Sequence, residues 1–246
     1  MVKLRKLIRV ILVLTGTIFL WQTIIWVSGV PDYILPGPAD VLEAFETHYD
    51  TLAKNSIITF AEIVAGLTIG TMLGAISALI MILWKPTETW LMPVLVISQA
   101  IPVFALAPIL VLWLGYGVAS KVAMAVLIIF FPVTAAFHDG LKRTEKGWLD
   151  LAKVMGASSR QTLMMIRLPA ALPAFGSGLR VAAAVAPIGA IVGEWVGSSA
   201  GLGYLMLHAN ARLQIEVMFA ALFILALFSC ILYFSIDAAL RHYIRW

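Results

Sequence analysis

Two carboxylates, Glu62 and Glu194, lie inside long apolar stretches of this 246-residue chain. A charged group costs at least about 2.5 kcal/mol at the centre of a bilayer, so such residues face a bundle interior, a pathway or a buried partner. Further polar groups and helix breaks lie in neighbouring apolar stretches at Ser98, Gln99, Pro102 and Pro187. These residues predict the lining or gate of a route through a membrane.

Glu62 also has a structural interpretation, as a buried partner of Arg180 or as a neutral, hydrogen-bonded acid near the interface. The sequence leaves the two interpretations open. Glu62 lies one step before Gly66, Gly70 and Gly74, which repeat every four residues on one helical ridge. Small residues at this spacing let two helices approach closely in lipid. The ridge therefore predicts a helix-packing face.

Motifs for catalysis or metal binding do not occur in the sequence. There is no GxxxxGK[ST] phosphate loop and no H-E-x-x-H helix, and the four histidines are scattered. The single cysteine, Cys230, excludes a disulfide framework and a cysteine-rich zinc site. We expect a chain that is not an enzyme, binds no metal or cofactor and cannot hydrolyse ATP by itself.

The elements that position these residues are membrane helices. Hydrophobic residues make up 62% of the chain and charged residues 12%, whereas soluble domains have about 45–50% and about 25%. A spanning helix needs about 20 mostly apolar residues. The sequence predicts one all-α polytopic domain over residues 1–246, with six spans at 8–28, 56–84, 90–114, 120–137, 173–197 and 215–236.

The distribution of cations predicts the orientation. With the N-terminus inside, 14 of the 17 Lys and Arg residues fall in cytoplasmic pieces, and only Lys54, Lys121 and Arg212 fall outside. Both termini are therefore expected in the cytoplasm, and the net charge of +4 reflects topology rather than nucleic-acid binding. The first apolar run could be a cleavable signal peptide, but its length and the lack of an A-x-A-like site favour an anchor.

The long connection at 138–172 contains ordered local signals. One apolar helical stripe is formed by Trp148, Leu151, Ala152 and Met155. Gly156 predicts the end of that helix, Ser158 and Gln161 predict a capping box that opens a second one, and Pro169 is expected to close it. An exposed apolar stripe needs a surface to bury it, either the protein's own membrane base or a cytoplasmic partner.

Two short helices are expected on the outer side. Asp40 is the predicted N-cap of an amphipathic helix behind the first span. The segment 198–213 is too polar to span and contains Gly201 and Gly203 ahead of an apolar stretch, which predicts a helix that seals the outer end of the route.

At the cytoplasmic connection the chain resembles a known family. The stretch DLAKVMGASSRQTLMMIRLPAALP resembles the EAA loop of binding-protein-dependent ABC transporter permeases. That pattern has an acid, a second alanine, a glycine with the residue after it, and closing Leu and Pro positions. In this chain these positions are occupied, in the same order, by Asp150, Ala152, Gly156, Ala157, Leu168, Pro169 and Pro173. Asp150 replaces the usual Glu, and Leu151 replaces an alanine. The segments IPVFALAPILVLWLGYG, SGLR and SSAGLGYLM are also similar to the family's core, so the resemblance covers most of the chain.

The resemblance implies a type I ABC importer permease in the bacterial inner membrane. Its implied partners are a second permease copy, two ATP-binding subunits that hold ATP and Mg, and an extracytoplasmic solute-binding protein. Coupling to the ATPase would rest on the stripe residues and Gly156, with Asp150 and Arg160 as flanking polar contacts and Ala157 beside them. Tyr204 and His208 on the outer helix would contact the binding protein.

Within the family the chain resembles the branch for nitrate, taurine, alkanesulfonates and pyrimidine vitamin precursors. The segments TFAEIVAGLTIG and GEWVGSSAGLGYLMLHANARLQ are most similar to hydroxymethylpyrimidine, or thiamine-precursor, permeases. Sulfonate, taurine or nitrate remains the alternative solute. A proton-coupled secondary transporter is the alternative class, with Glu62 and Glu194 as relay groups.

Overall fold

The computed structural model describes residues 2–244, with the side chains of all of these except 2–7, 10, 11 and 14. Over this range the regular elements are helices. In chain order they are α1 Val2–Ser28, α2 Pro38–Thr47, α3 Tyr49–Leu83, α4 Lys85–Ala100, α5 Val103–Leu114, α6 Val118–Lys142, α7 Lys146–Val154, α8 Ser159–Thr162, a π-helical segment Leu163–Arg167, α9 Leu168–Gly197, α10 Leu202–Ala211 and α11 Ile215–Tyr243.

Four continuous helical stretches are long and apolar enough to cross a membrane: Tyr49–Leu83, Val118–Lys142, Ser159–Gly197 and Ile215–Tyr243. The pair α4 and α5 meets the same criterion as a fifth unit, with a bend of 105° between its halves. The expected span at 8–28 lies in α1, where several side chains fall outside the described residues. The count of six therefore stays a prediction.

The bend between α4 and α5 lies at the middle proline of the third predicted span. Pro102 follows Ile101, where α4 has ended, and is the N-cap of α5. A proline has no N–H for the preceding turn and its ring disfavours a helical residue before it. Pro93 and Pro108 lie inside their helices, so only Pro102 divides the span.

Helix α6 is the centre of the bundle because glycines on α3 and α9 bring both helices against it. A Cβ built on Gly70 would lie 2.9 Å from Ile129 Cγ2, and one on Gly74 would lie 3.0 Å from Val133 Cγ1. On the α9 side, a Cβ on Gly189 would lie 2.6 Å from the Cα of Ala125. Such close approach is available only to residues without a side chain.

The connection predicted at 138–172 is ordered by two caps. The Ala157 N–H donates to the Ala152 carbonyl at 2.9 Å and the Gly156 N–H donates to the Lys153 carbonyl at 3.0 Å, which forms a Schellman motif at the end of α7. Gly156 supplies the required positive φ of 75°. The Gln161 N–H then donates to Ser158 Oγ at 3.3 Å, and the Ser158 N–H donates to Gln161 Oε1 at 2.8 Å. This is a capping box.

The expectation that Pro169 closes the second loop helix is wrong. The chain continues from Ser159 to Gly197 as one helical path, and Pro169 lies in the first turn of α9. The wider π turn over Leu163–Arg167 precedes this proline. Its changed hydrogen-bond register accommodates a residue that cannot donate to the carbonyl four positions earlier.

Helices α2 and α10 are too short to cross a membrane. Helix α2 begins one turn earlier than expected, with Gly37 as N-cap and Pro38 in its first turn. The predicted N-cap role of Asp40 is wrong: Asp40 is the N3 residue, and its Oδ2 accepts the Gly37 N–H at 2.8 Å. Helix α10 packs in the same apolar cluster as α2 and α11, through buried residues including Ala209, Val41 and Val217.

Candidate functional site

Helix α7 presents an apolar surface on the cytoplasmic connection. Trp148 is 52% exposed, Leu151 60% and Met155 77%. Ala152, on the same stripe, is buried. The stripe therefore has two parts. Trp148, Leu151 and Met155 are available to another molecule, whereas Ala152 is enclosed by the protein itself.

A shallow groove extends this surface onto the start of α9. Met165, Ile166 and Pro169 line it opposite Trp148 and Met155. Met165 is 73% exposed. The sequence analysis missed these residues because it treated the segment after Ser158 as a separate helix. Two adjacent methionines, which adapt to irregular partner surfaces, are the signal that could have found them.

The flanking polar residues lie on the solvent side of the connection. The Asp150 carboxylate pairs with Lys153 Nζ at 3.4 Å, with both side chains more than two-thirds exposed. Arg160 is exposed in α8, and Ala157 lies between Gly156 and the capping box. Exposed pairs of this kind contribute little to stability, so these side chains are available for contacts with a partner.

Glu62 and Lys121 form a buried ion pair between α3 and α6. Lys121 Nζ lies 3.2 Å from Glu62 Oε1, and the two side chains are 6% and 1% exposed. Arg180 pairs instead with Asp237 Oδ1 at 2.7 Å, so the sequence-based pairing of Glu62 with Arg180 is wrong. The placement of Lys121 in an outer connection is wrong too, because α6 begins at Val118. The cation that pairs with the Glu62 carboxylate comes from the first turn of α6.

Glu194 lies next to this pair and is also buried, with 1% of its surface exposed. Thr59 Oγ1 donates to Glu194 Oε1 at 2.6 Å, and the Gly203 N–H donates to Glu194 Oε2. The structure thus brings together the two carboxylates that the sequence singled out: Lys121 pairs with Glu62, and a hydroxyl and a backbone N–H donate to Glu194.

The other predicted pathway residues lie apart from this cluster. Ser98 and Gln99 are in the last turn of α4, beside the bend at Pro102, with the Ser98 hydroxyl donating to the Leu95 carbonyl at 2.7 Å. Pro187 is buried within α9 and borders an apolar groove between α9 and α11. On α10 the rings of Tyr204 and His208 are in contact, with centroids 4.1 Å apart and planes tilted by 49°.

Among residues 2–244 there is no group of three or more His, Cys, Asp or Glu side chains that could hold a metal ion.

Residues 70–246 match the family described as the inner membrane component of binding-protein-dependent transport systems. The chain belongs to this family. It is thus the multi-pass permease subunit of an ABC importer, and in such importers the ATPase is a separate subunit. A protein of Haemophilus influenzae named "Probable ABC transporter permease protein" is 54% identical, over 97% of this chain and 98% of that protein.

A second relative of this permease carries a solute in its name. The formylaminopyrimidine transport permease protein ThiX of Halalkalibacterium halodurans is 40% identical, over 85% of this chain and 86% of its own length. Permeases named for riboflavin, aliphatic sulfonates and taurine match at 26–34% identity.

The permease also has the fold of a solved importer subunit. A chain of the MetNI methionine ABC transporter matches with a TM-score of 0.58 at 19% identity, over 79% of this chain and 93% of that chain. The predicted all-α permease fold is confirmed by this likeness. The likeness concerns the fold alone.

Proposed function

We propose that this permease imports a pyrimidine precursor of thiamine. The supporting observation is the 40% identity to a formylaminopyrimidine permease over most of both chains. The acid at position 62 adds no support, because it faces Lys121 in the interior rather than a solute. Sulfonate or taurine is the second candidate, favoured by the relatives named for those solutes.

The proposed pathway runs along the helices that surround the bend of α4 and α5 and the apolar groove of α9. Ser98, Gln99 and Pro102 would line it at the bend, and Pro187 would line it on α9. Glu62 and Glu194 would act behind this surface, since both are buried within one subunit. We propose that two copies of the permease assemble around the route, with both termini in the cytoplasm.

The solute is tested by uptake in cells that lack their own pyrimidine transporter and express the permease with its ATPase and binding protein. Labelled formylaminopyrimidine should accumulate, an excess of taurine should not compete, and an ATPase-inactive complex should show no uptake. Uptake of taurine alone would refute the pyrimidine assignment but would still agree with an ABC importer. Uptake that persists with the inactive ATPase would instead favour a proton-coupled transporter.

The coupling surface is proposed to be the exposed face of α7 together with the groove on α9. A single ATPase subunit seated there would bury Trp148 and Met155, which solvent now reaches. Gly156 fixes where the α7 stripe ends, and Asp150, Ala157 and Arg160 border the surface. Because α9 continues from this connection, movement of the ATPase would act directly on a membrane helix.

Substitutions on α7 test this surface. Trp148→Arg and Met155→Arg should abolish ATP-driven uptake and weaken co-purification of the ATPase, while the permease still inserts. Val154→Arg is the matched control: Val154 is 86% exposed and lies about 100° round the helix from Met155. Equal retention of the ATPase by all three variants would refute the assignment. Ala152→Arg is less informative, because Ala152 is buried and its loss would disturb the connection itself.

A further inference from the structure

Helix α10 begins without a capping side chain of its own. Its N-cap is Gly201, which has φ of 109° and no side chain to accept a hydrogen bond. The first N–H groups of a helix have no acceptor within the helix and require one elsewhere when they are buried. Gly201, Leu202 and Gly203 are all buried.

The missing acceptors come from α3 and α9. Asn55 Oδ1 accepts the Gly201 N–H at 2.7 Å, and Thr59 Oγ1 accepts the Leu202 N–H at 2.7 Å. Glu194 accepts the Gly203 N–H with one carboxylate oxygen and the Thr59 hydroxyl with the other. We name Asn55, Thr59 and Glu194 the outer cap cluster.

Asn55 is partly exposed, whereas the other two residues of the outer cap cluster are enclosed. Thr59 is 0% exposed and Glu194 1%. A Cβ on Gly203 would lie 2.9 Å from Glu194 Oε2, and one on Gly201 would collide with the same carboxyl group. Water therefore cannot replace these two acceptors unless α10 first moves away.

One cation lies beside the two buried carboxylates. Lys121 is the cation that pairs with Glu62. Glu194 lies at the N-terminus of α10, where the aligned peptide dipoles favour a negative group. The buried Glu194 carboxylate is thus stabilised by the start of α10, the same helix whose N–H group it accepts, and by the Thr59 hydroxyl.

We propose that Glu194 is a positioning residue: together with Thr59 it fastens the outer helix α10 to α3 and α9. Glu194 lies in the last turn of α9, at the far end of the 39-residue helical path that begins at Ser159 in the cytoplasmic connection. Displacement of α9 relative to α3 separates Glu194 from Thr59 and releases α10. The consequence for transport rests on the proposed function, in which α10 closes the outer side of the route.

The release of α10 is measured by thiol labelling of the purified, assembled importer in detergent. Cys230→Ser removes the single native cysteine, and Ala209→Cys places a reporter on the buried face of α10, where Ala209 is 2% exposed. Thr59→Val keeps the side-chain volume but removes the hydroxyl that both donates to Glu194 and accepts from Leu202. We expect maleimide labelling of the reporter to accelerate at least about tenfold, because loss of the charge-assisted bond to Glu194 alone has that effect and the Leu202 N–H loses its acceptor as well.

Three further variants make the result specific. Glu194→Gln keeps the volume but turns one acceptor into a donor, so it should accelerate labelling in the same way. Thr59→Ser should restore the slow rate because it restores the hydroxyl. Thr68→Val is the matched control on α3, since Thr68 is exposed and its hydroxyl donates only to the Val64 carbonyl of its own helix, at 2.8 Å.

The outcomes separate the cap from the transport model. Slow labelling in both Thr59→Val and Glu194→Gln would refute the positioning role. Fast labelling with unchanged uptake per ATP hydrolysed would keep that role and overturn the proposal that α10 closes the route. Fast labelling with reduced uptake per ATP and normal assembly is the result expected. If Glu194→Gln fails to assemble, Thr59→Val alone decides, because it leaves the carboxylate in place.

Discussion

Gly189 is the position at which a single methyl group should damage the bundle most clearly. A Cβ there would lie 2.6 Å from the Ala125 Cα and 3.1 Å from the Ala125 N. Carbon atoms in contact are normally about 3.5–4.0 Å apart, so α6 and α9 would have to separate by about 1 Å. Backbone atoms cannot rotate away as a side chain can, and Ala125 is fully buried.

The expected magnitude follows from a comparison within one helix. Gly176 also lies in α9, but a Cβ there would first meet the mobile Cδ1 of Ile244, at 3.2 Å. Gly176→Ala and Gly189→Ala gain the same helix propensity, up to about 1 kcal/mol. Only Gly189→Ala adds an overpacking cost, typically about 1–3 kcal/mol. The difference between the two variants should be about 2 kcal/mol, with Gly189→Ala the less stable.

The assay is reversible unfolding in mild detergent with increasing dodecyl sulfate, followed by tryptophan fluorescence. A difference of about 2 kcal/mol corresponds to a roughly 30-fold change in the folded-to-unfolded ratio at a given detergent composition. Gly16→Ala serves as a second control, since nothing lies within 4 Å of a Cβ at that position. Equal stability of Gly189→Ala and Gly176→Ala would refute the conclusion that backbone contact holds α9 on α6.

Other predictions concern the buried ion pair and the cytoplasmic connection. Lys121→Met leaves a buried carboxylate without its cation and should lower the free energy of unfolding by about 3–5 kcal/mol in the same assay, whereas adding Glu62→Gln should recover part of that loss. Met165→Arg should weaken co-purification of the ATPase without changing the stability of the permease, because Met165 is 73% exposed. Unchanged binding of the ATPase would show that Met165 is not part of the coupling surface. Gly156→Ala should destabilise the end of α7 by about 1 kcal/mol, because φ at this position is 75° and a side chain is strained there. Gly156→Asn should cost less. Hydrogen exchange of the α7 amides measures the effect of both variants.

Local patterns predicted the local structure of the cytoplasmic connection correctly. The stop at Gly156 and the capping box of Ser158 and Gln161 depend on residues within a few positions of one another, and the structure shows both. Such features can be found from one sequence because the groups that form them are neighbours along the chain.

Contacts between helices could not be predicted in the same way. The sequence offered Arg180 as a partner for Glu62 because both lie in apolar stretches, but α6 places Lys121 closer. Which cation faces a buried acid depends on the rotation and register of three helices. The continuation through Pro169 was missed for a related reason: the local rule for proline holds in an isolated α-helix, whereas the π turn before it changes the register.

The helical path that begins at Ser159, beside the proposed coupling surface, ends at the outer cap cluster, and this has a mechanical consequence. Gly189 and Gly193 press the backbone of α9 against α6, where a Cβ on Gly193 would lie 2.9 Å from the Lys121 Cα. A closely packed contact of this kind is not continuously deformable, so α9 shifts as a rigid element or does not shift. A displacement imposed on the α9 end of the coupling surface would therefore arrive at Glu194 with little loss. The backbone contact that sets the stability of the bundle is thus also what would allow the outer helix to respond to the ATPase.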